Sequence, residues 1–430
     1  MSRTVTSTRT SRSSKNRRAG RWRWLSLILV GIAVVSGVMW GTVWWEERPL
    51  RDAARLLEQK AGASALSSVD RFLRDHPGHG RGIGLKARAL VQLGRAGEAI
   101  QLFEKAGAAS TEDMRAYTTA CLMLEQWVQA LPVLEYLLRL DPDDADLLHE
   151  VAACRAKLGQ FDEAVEAASR FASIAGNEKR GYLLVGILER DRGNFRKACE
   201  AWARVLQVNP DAKDLQISGD EFHLEYGKAL LKLGEPAAAT DRLKHSIATK
   251  PSSTAIALLG KAYSQMGKTE DAEREWRKAL ESNAANETAR HGLAELAMNQ
   301  SDFQGAMAWL QPMAASPELS SGTAFLLQRV SSLLGDTKAA SDWQMRVEQI
   351  RKLEELHSTV DQVLIDSPSS MWGQVLRSYR LAEQGNWDQA DIFLRPFLEK
   401  PAHPFISELG AAIQDRGPLP HLKGLPIESF

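Results

Sequence analysis

Cysteine is scarce: three in 430 residues, Cys121, Cys154 and Cys199, with no CxxC among them. Three thiols cannot all pair with one another. A disulfide scaffold or a thiolate metal knuckle needs more of them at closer spacing. Each sits in an apolar helical pattern, as a small core residue does. The nine histidines are scattered, and neither HExxH nor a paired Cys/His spacing occurs. His76 and His79 flank Pro77 in a turn rather than forming a metal pair. The stretch GHGRGIG (78–84) is rich in glycine but has no preceding strand and no GK[ST], so it reads as a flexible entry to a helix. No GxSxG occurs, and no separate catalytic domain has room after residue 404. We therefore expect no enzyme, no cofactor and no metal.

Acidic residues are absent from residues 1–45, which carry Arg3, Arg9, Arg12, Lys15, Arg17, Arg18, Arg21 and Arg23. The whole chain balances 54 basic against 54 acidic residues, so the remainder carries a formal charge of about −8. An acidic body lacks the basic footprint that nucleic acid requires. Charge is absent again from Trp24 to Trp45, 22 residues reading WLSLILVGIAVVSGVMWGTVWW. At about 1.5 Å per residue this run reaches roughly 33 Å, enough to cross a bilayer. Trp22 and Trp24 stand before it and Trp40, Trp44 and Trp45 at its end, where indole rings favour the headgroup level. A cleaved signal peptide fits less well, because the run is long and no A-x-A-like site follows before Glu46. The positive flank predicts a cytoplasmic N-terminus and an extracytoplasmic body, periplasmic in a bacterium with an outer membrane. The reversed orientation is the alternative.

Beyond the apolar run, an alanine recurs at a spacing centred on 34 residues: Ala65, Ala99, Ala130, Ala164, Ala198, Ala239, Ala272, Ala306, Ala340 and Ala390. A fixed period of this size marks stacked helical repeats. Repeats start near 46, 80, 111, 145, 179, 220, 253, 287, 321 and 371, each reading as two amphipathic helices. The first helix carries a small residue (Ala53, Ala87, Thr118, Ala152, Gly186, Gly227, Gly260, Ala294), replaced by Gln328 and Ser378 in the last two. Small residues allow close helix approach. Glycine marks the intervening turn at Gly94, Gly159, Gly193, Gly234, Gly267, Gly335 and Gly385. A larger apolar residue follows the alanine by four, as at Val69, Phe103, Leu134, Trp202, Leu243, Trp276, Leu310 and Leu394. Cys121 and Cys154 fall near equivalent places in neighbouring repeats, so a disulfide between them stays open but is not favoured. Asn286-Glu287-Thr288 and Asn299-Gln300-Ser301 match a glycosylation acceptor, although Asn286 is more simply a helix cap.

The stretches LGQFDEA (158–164), RGNFRKA (192–198), LGEPAAA (233–239), MGKTEDA (266–272), NQSDFQGA (299–306) and QGNWDQA (384–390) resemble the tetratricopeptide repeat family over about 46–404. The resemblance implies an all-α, right-handed α-solenoid of about ten helix-turn-helix repeats, and the uncharged run sets one N-terminal transmembrane helix before it. We divide the chain into a basic disordered tail (1–23), a transmembrane helix (24–45), a solenoid (46–354), a helical extension and linker (355–370), a final repeat with a capping helix (371–416) and an extended tail (417–430). The pattern departs from the family at an insertion, Lys213 to Gly219, and at Gln328 and Gln344. After Glu348 a charged helix runs on, making 345–370 a break or bend in the solenoid.

In this family the first helices line a concave face. Residue-by-residue carry-over places Arg88, Arg115, His149, Arg190, Lys228, Lys261, His291 and Arg329 there, with Arg81 and Arg180, against few acids: Glu112, Asp146, Glu221 and Glu295. The resemblance thus implies a groove, here basic, for a protein or peptide partner, and with the anchor we expect a scaffold that supports assembly of a complex at the outer face of the cytoplasmic membrane. The alternative is an anionic polysaccharide in an assembly or export role. The two-asparagine carboxylate clamp of chaperone-binding members is missing. Trp372, Tyr379 and Phe325 offer an aromatic surface instead.

Overall fold

The computed structural model describes residues 47–316, 319–367 and 370–425. The apolar run from Trp24 to Trp45 and the basic tail lie outside them. Among the described residues no helix is long and apolar enough to cross a membrane. These residues form α-helices joined by turns and three short 3-10 segments, without a strand. The chain divides into two compact units, with the boundary after Leu124.

The first unit holds α1 (Arg48–Glu58), α2 (Gly62–Asp75), α3 (Gly80–Gln92), α4 (Ala96–Ala106) and α5 (Thr111–Met123). The second begins with α6 (Trp127–Leu140). It continues through α7 (Ala145–Lys157), α8 (Phe161–Ser173), α9 (Glu178–Asp191), α10 (Phe195–Val208), α11 (Gly219–Leu233) and α12 (Pro236–Thr249). Then come α13 (Ser253–Gln265), α14 (Thr269–Ser282), α15 (Glu287–Asn299), α16 (Phe303–Leu310), α17 (Ser321–Leu333) and α18 (Thr337–Asp366). It ends with α19 (Met371–Glu383), α20 (Trp387–Leu394) and α21 (Pro404–Asp415).

The repeat pattern is a packing pattern. Nine of the ten recurring alanines are 0% exposed, as are Ala53, Ala87, Ala152, Ala294 and Ser378 on the first helices. Where the first-helix residue is glycine, the large residue of the second helix occupies the space of the missing side chain. A Cβ on Gly227 would lie 2.8 Å from Leu243 Cγ, and one on Gly260 would lie 2.6 Å from Trp276 Cδ1. Gly186 faces Trp202 in the same way, and Gly292 closes on the other side of Trp276. Each such large apolar residue, once buried, contributes about 1.5–3 kcal/mol. All seven turn glycines have positive φ, from 71° to 83°, the left-handed conformation that ends the preceding helix at little steric cost. Two turns without glycine place Glu125 (φ 56°) and Ser301 (φ 63°) there. Side-chain caps start many of the helices: Ser110 and Asp113 form a reciprocal box, and Asn286 Oδ1 accepts from the Ala289 N–H at 2.9 Å.

The repeat at 321 breaks the pattern. Gln328 and Ala340 are only half-buried, and Val347 packs with Leu326, Leu327 and Val330 instead. The second helix, α18, then runs unbroken for 30 residues, about 45 Å. Its middle, 351–355, is exposed. Its end re-enters a core: Leu356 and Val360 pack with Trp372, Leu376, Tyr379, Leu394, Phe405 and Ile406. Trp372 and Tyr379 therefore fill this C-terminal core rather than offering a surface. Phe325 stays exposed, beneath the Arg351 guanidinium.

Through α18 the second unit closes on itself. Gln389 Oε1 accepts from the Trp127 backbone N–H at 3.1 Å, and Gln389 Nε2 donates to the Glu125 carbonyl. Asn386 Nδ2 donates to the Glu125 carboxylate at 3.4 Å. Arg377 and Leu364 lie against Gly159 in the α7–α8 turn.

Candidate partner-binding groove

The first helices of successive repeats touch one another directly: α1, α3 and α5 in the first unit, and α11, α13, α15 and α17 in the second. The second helices pack chiefly against first helices. The surface shared by the first helices is thus the inner face of each unit.

In the first unit Arg88 is half-buried on α3 and Arg115 is exposed on α5. The Glu112 carboxyl is held below its ordinary range, chiefly by hydrogen bonds from its own backbone and Ser110, with Arg88 adding positive field. Arg81 pairs with Glu47 at 3.3 Å.

In the second unit three of the predicted basic residues, Arg190, Lys228 and His291, are met by acids close by. Arg190 pairs with Asp191 at 2.7 Å and Glu225 at 2.9 Å; Lys228 pairs with Glu225 at 2.7 Å. His291 Nε2 lies 3.4 Å from Glu295. Arg329 is exposed on α17. The expectation of a basic face meets this neutralisation. Asp191 and Glu225 sit one place off the positions carried over from the family, so that projection leaves them out. An anionic polysaccharide is accordingly not favoured. His149 is occupied differently. The insertion between α10 and α11 reaches back to α7, where Gln216 Nε2 lies 3.3 Å from His149 Nε2. The His149 ring also meets Phe171 edge-on. Burial, with the Arg180 charge, lowers its pKa below the ordinary histidine value.

Lys261 and His291 come together across α13 and α15. They line a cavity of about 520 Å³ with Ser264, Glu287, Glu295 and Thr323. Its floor includes Trp276, whose indole N–H donates to the Ala257 carbonyl at 3.0 Å. Glu287 Oε1 accepts from Ser320 Oγ at 2.7 Å and Thr323 Oγ1 at 2.9 Å, tying α15 to α17. Thr323 Oγ1 is in turn 3.0 Å from His291 Nδ1. The Glu295 carboxyl is held below its ordinary range by the hydrogen bond with His291, with Lys261 adding positive field. Both charge signs and several hydroxyls thus face one concave space. The positional projection finds Lys261, His291 and Glu295, but not Glu287, Ser320 and Thr323, which stand at helix starts.

A tetratricopeptide repeat family model matches residues 50–113 and 258–318, and a second such model matches 122–185. The matched stretches are tetratricopeptide repeats. No curated protein matches the sequence. Among solved structures, it is similar to a tetratricopeptide repeat (TPR) protein of Parabacteroides merdae, at 16% identity over 59% of this chain and 97% of that one, TM-score 0.46. It is also similar to the C-terminal part of a TPR repeat-containing protein of Cytophaga hutchinsonii, at 14% identity over 57% and 99%, TM-score 0.46. A third is PilW, described as a widely conserved type IV pilus biogenesis factor, at 16% identity over 54% and 96%, TM-score 0.39. At these identities the likeness concerns the fold alone.

Three other expectations meet the TPR structure. Cys121, Cys154 and Cys199 are buried and none is in a disulfide, and burial pushes the Cys121 and Cys199 thiols up to about 11. His76 stacks on Phe72, while His79 Nδ1 caps α3 by accepting from the Gly82 N–H at 3.2 Å. Among the described residues no group of His, Cys, Asp and Glu is placed to hold a metal ion.

Proposed function

We propose that this TPR protein is a non-catalytic scaffold that binds an extended segment of a protein partner at the cavity bounded by α13, α15 and α17. The supporting observation is the mixed charge of that cavity: Lys261, His291, Glu287 and Glu295 line it together with Trp276. A polypeptide carries both charge signs, backbone donors and backbone acceptors, and so can answer such a surface. An anionic polymer answers only its cations. The insertion bearing Gln216 meets His149, whereas the cavity over α13, α15 and α17 remains open to a partner.

The same proposal places the TPR array at the outer face of the cytoplasmic membrane, tethered by 24–45, where a tether raises the effective concentration of membrane neighbours. It rests on the uncharged run and its basic flank. Protease added to intact spheroplasts should cut the repeats; a fully protected body would reverse the orientation. The binding site is tested by photo-crosslinking in native membranes from a probe at Lys261, with exposed Lys278 on α14 as control. A discrete protein adduct from Lys261 alone is expected. Equal labelling from both positions, or an adduct removed by glycan-degrading enzymes, would overturn the reading.

A further inference from the structure

Where the second unit closes on itself lies a second, partly open cavity of about 410 Å³, lined by residues other than those of the partner groove. Lys157 and Gly159 line it from the α7 end, Asp361 and Leu364 from α18, and Arg377 and Arg380 from α19. Three of its charged residues, Arg380, Asp361 and Asp191, have partners. Arg380 is shared between Asp361 at 2.7 Å and Glu383 at 3.0 Å, and Asp191, also on the wall, is held by Arg190.

Arg377 is different. It is 7% exposed, and its Nε and Nη2 are buried without a hydrogen-bond partner. Its guanidinium stacks on the Phe393 ring at 5.2 Å, which fixes its plane but satisfies no N–H. The nearest compensating charge, Glu163, acts only through its field. A buried guanidinium with idle donors is costly, and such groups are normally paired. The backbone carbonyls at the α7 C-terminus supply part of the compensation, yet no carbonyl closes a hydrogen bond with either nitrogen.

We propose that this cavity is an anion site, in which a carboxylate or phosphate group pairs with Arg377, with Lys157 at the rim, and holds the closure shut. A planar fork of donors beside a cavity is the arrangement that binds such groups in two-point fashion. Arg377 Nη2 lies beside Gly159 in the cavity wall, 3.1 Å from where a Cβ on that glycine would stand, so the idle donors border the cavity. Because α19, which carries Arg377, packs against α20, which carries the closing residue Gln389, filling the site stabilises the contact between the two ends of the unit. This site is independent of the partner groove, and either reading can fail alone.

The test is amide hydrogen exchange on the purified full-length chain in detergent, at equal ionic strength in chloride, acetate, phosphate or hexaglutamate. The reporter is the Trp127 amide, which donates to Gln389 only when the unit is closed. Acetate or phosphate should slow its exchange several-fold relative to chloride, and Arg377→Met should abolish the difference. A response to hexaglutamate alone assigns the carboxylate to a polypeptide; a response to acetate or phosphate assigns it to a free ion. Should Arg377→Met not fold, Lys157→Gln, at an exposed rim position, should weaken the anion effect. Identical exchange in all four salts, or an anion effect unchanged in the variant that folds, overturns the proposal.

Discussion

Replacing Gly260 by alanine tests the packing rule of this array directly. The new Cβ would lie 2.6 Å from both Trp276 Cδ1 and Nε1, where carbon contacts settle near 3.5–4.0 Å. The indole must therefore move by about 1 Å. It has nowhere to go, because Gly292 closes on its other face and Trp276 is only 3% exposed. Overpacking of this kind costs about 1–3 kcal/mol. Displacing the ring also weakens its 3.0 Å bond to the Ala257 carbonyl, a further loss of about 1 kcal/mol. Against this stands the better helix propensity of alanine, about 1 kcal/mol. The balance is a loss of about 2 kcal/mol. The chain itself indicates the remedy, since Ala294 stands sixteen residues before Leu310, as Gly260 stands before Trp276, and both are fully buried. In Gly260→Ala/Trp276→Leu the alanine should therefore be neutral or stabilising relative to Trp276→Leu alone. Opening free energies of α13 and α14 from hydrogen exchange, arranged as a double-mutant cycle, measure this. A Gly260→Ala protein as stable as the parent, or simple additivity in the cycle, refutes the reasoning.

Gly234→Ala should cost about 1 kcal/mol for a different reason: its φ is 81° although its surroundings are open. Local exchange in α11 should rise while α13 is unaffected. Trp276→Phe should destabilise more than Trp202→Phe, by about 1 kcal/mol, because the Trp202 indole N–H has no hydrogen-bond partner to lose; denaturant midpoints of the two variants decide it. Glu287→Ala removes the acceptor shared by the Ser320 and Thr323 hydroxyls, which keep each other and His291 as partners, and should cost about 0.5–1.5 kcal/mol, seen as faster exchange in the first turn of α17. His223 is held down to about 4 by burial, aided by Arg242 and His245, against an ordinary 6.5. The unfolded chain binds the proton first, so this contribution is intact above pH 6.5 and is lost as pH falls toward 4. Thermal midpoints across that window should show a shallower slope in His223→Asn.

The repeats were legible because their determinants are local and recurrent. A buried alanine, a left-handed turn glycine and a large residue four places on each answer one geometric need, and the need recurs with each repeat. Ala340 shows where that logic stops: the residue keeps its register, but α18 rotates another face, through Val347, into the core. The inner-face cations could be counted from the pattern. Their neutralisation could not, because Asp191 and Glu225 belong to neighbouring positions and, for Glu225, to the next repeat. Gln389 and Arg377 read as ordinary polar helix residues. What makes them special is a meeting with Glu125, Trp127 and Gly159 that depends on where a 30-residue helix delivers the last repeat, and no local pattern encodes that.

An open solenoid behaves as a spring. Small rotations between repeats add up, so it can change pitch and curvature at low cost to follow a ligand. Joining Trp127 to Gln389, 262 residues apart, removes that freedom from every repeat in between. Those end contacts also cannot form until the intervening repeats have assembled, so a repeat array that would otherwise grow by nearest-neighbour steps acquires one late, long-range step. A defect in any repeat shifts the ends apart, and a cluster of few polar contacts has little energy with which to pull them back. The clasp therefore acts as a gauge of the whole arc, and any guest that must flex the arc has to release the clasp first.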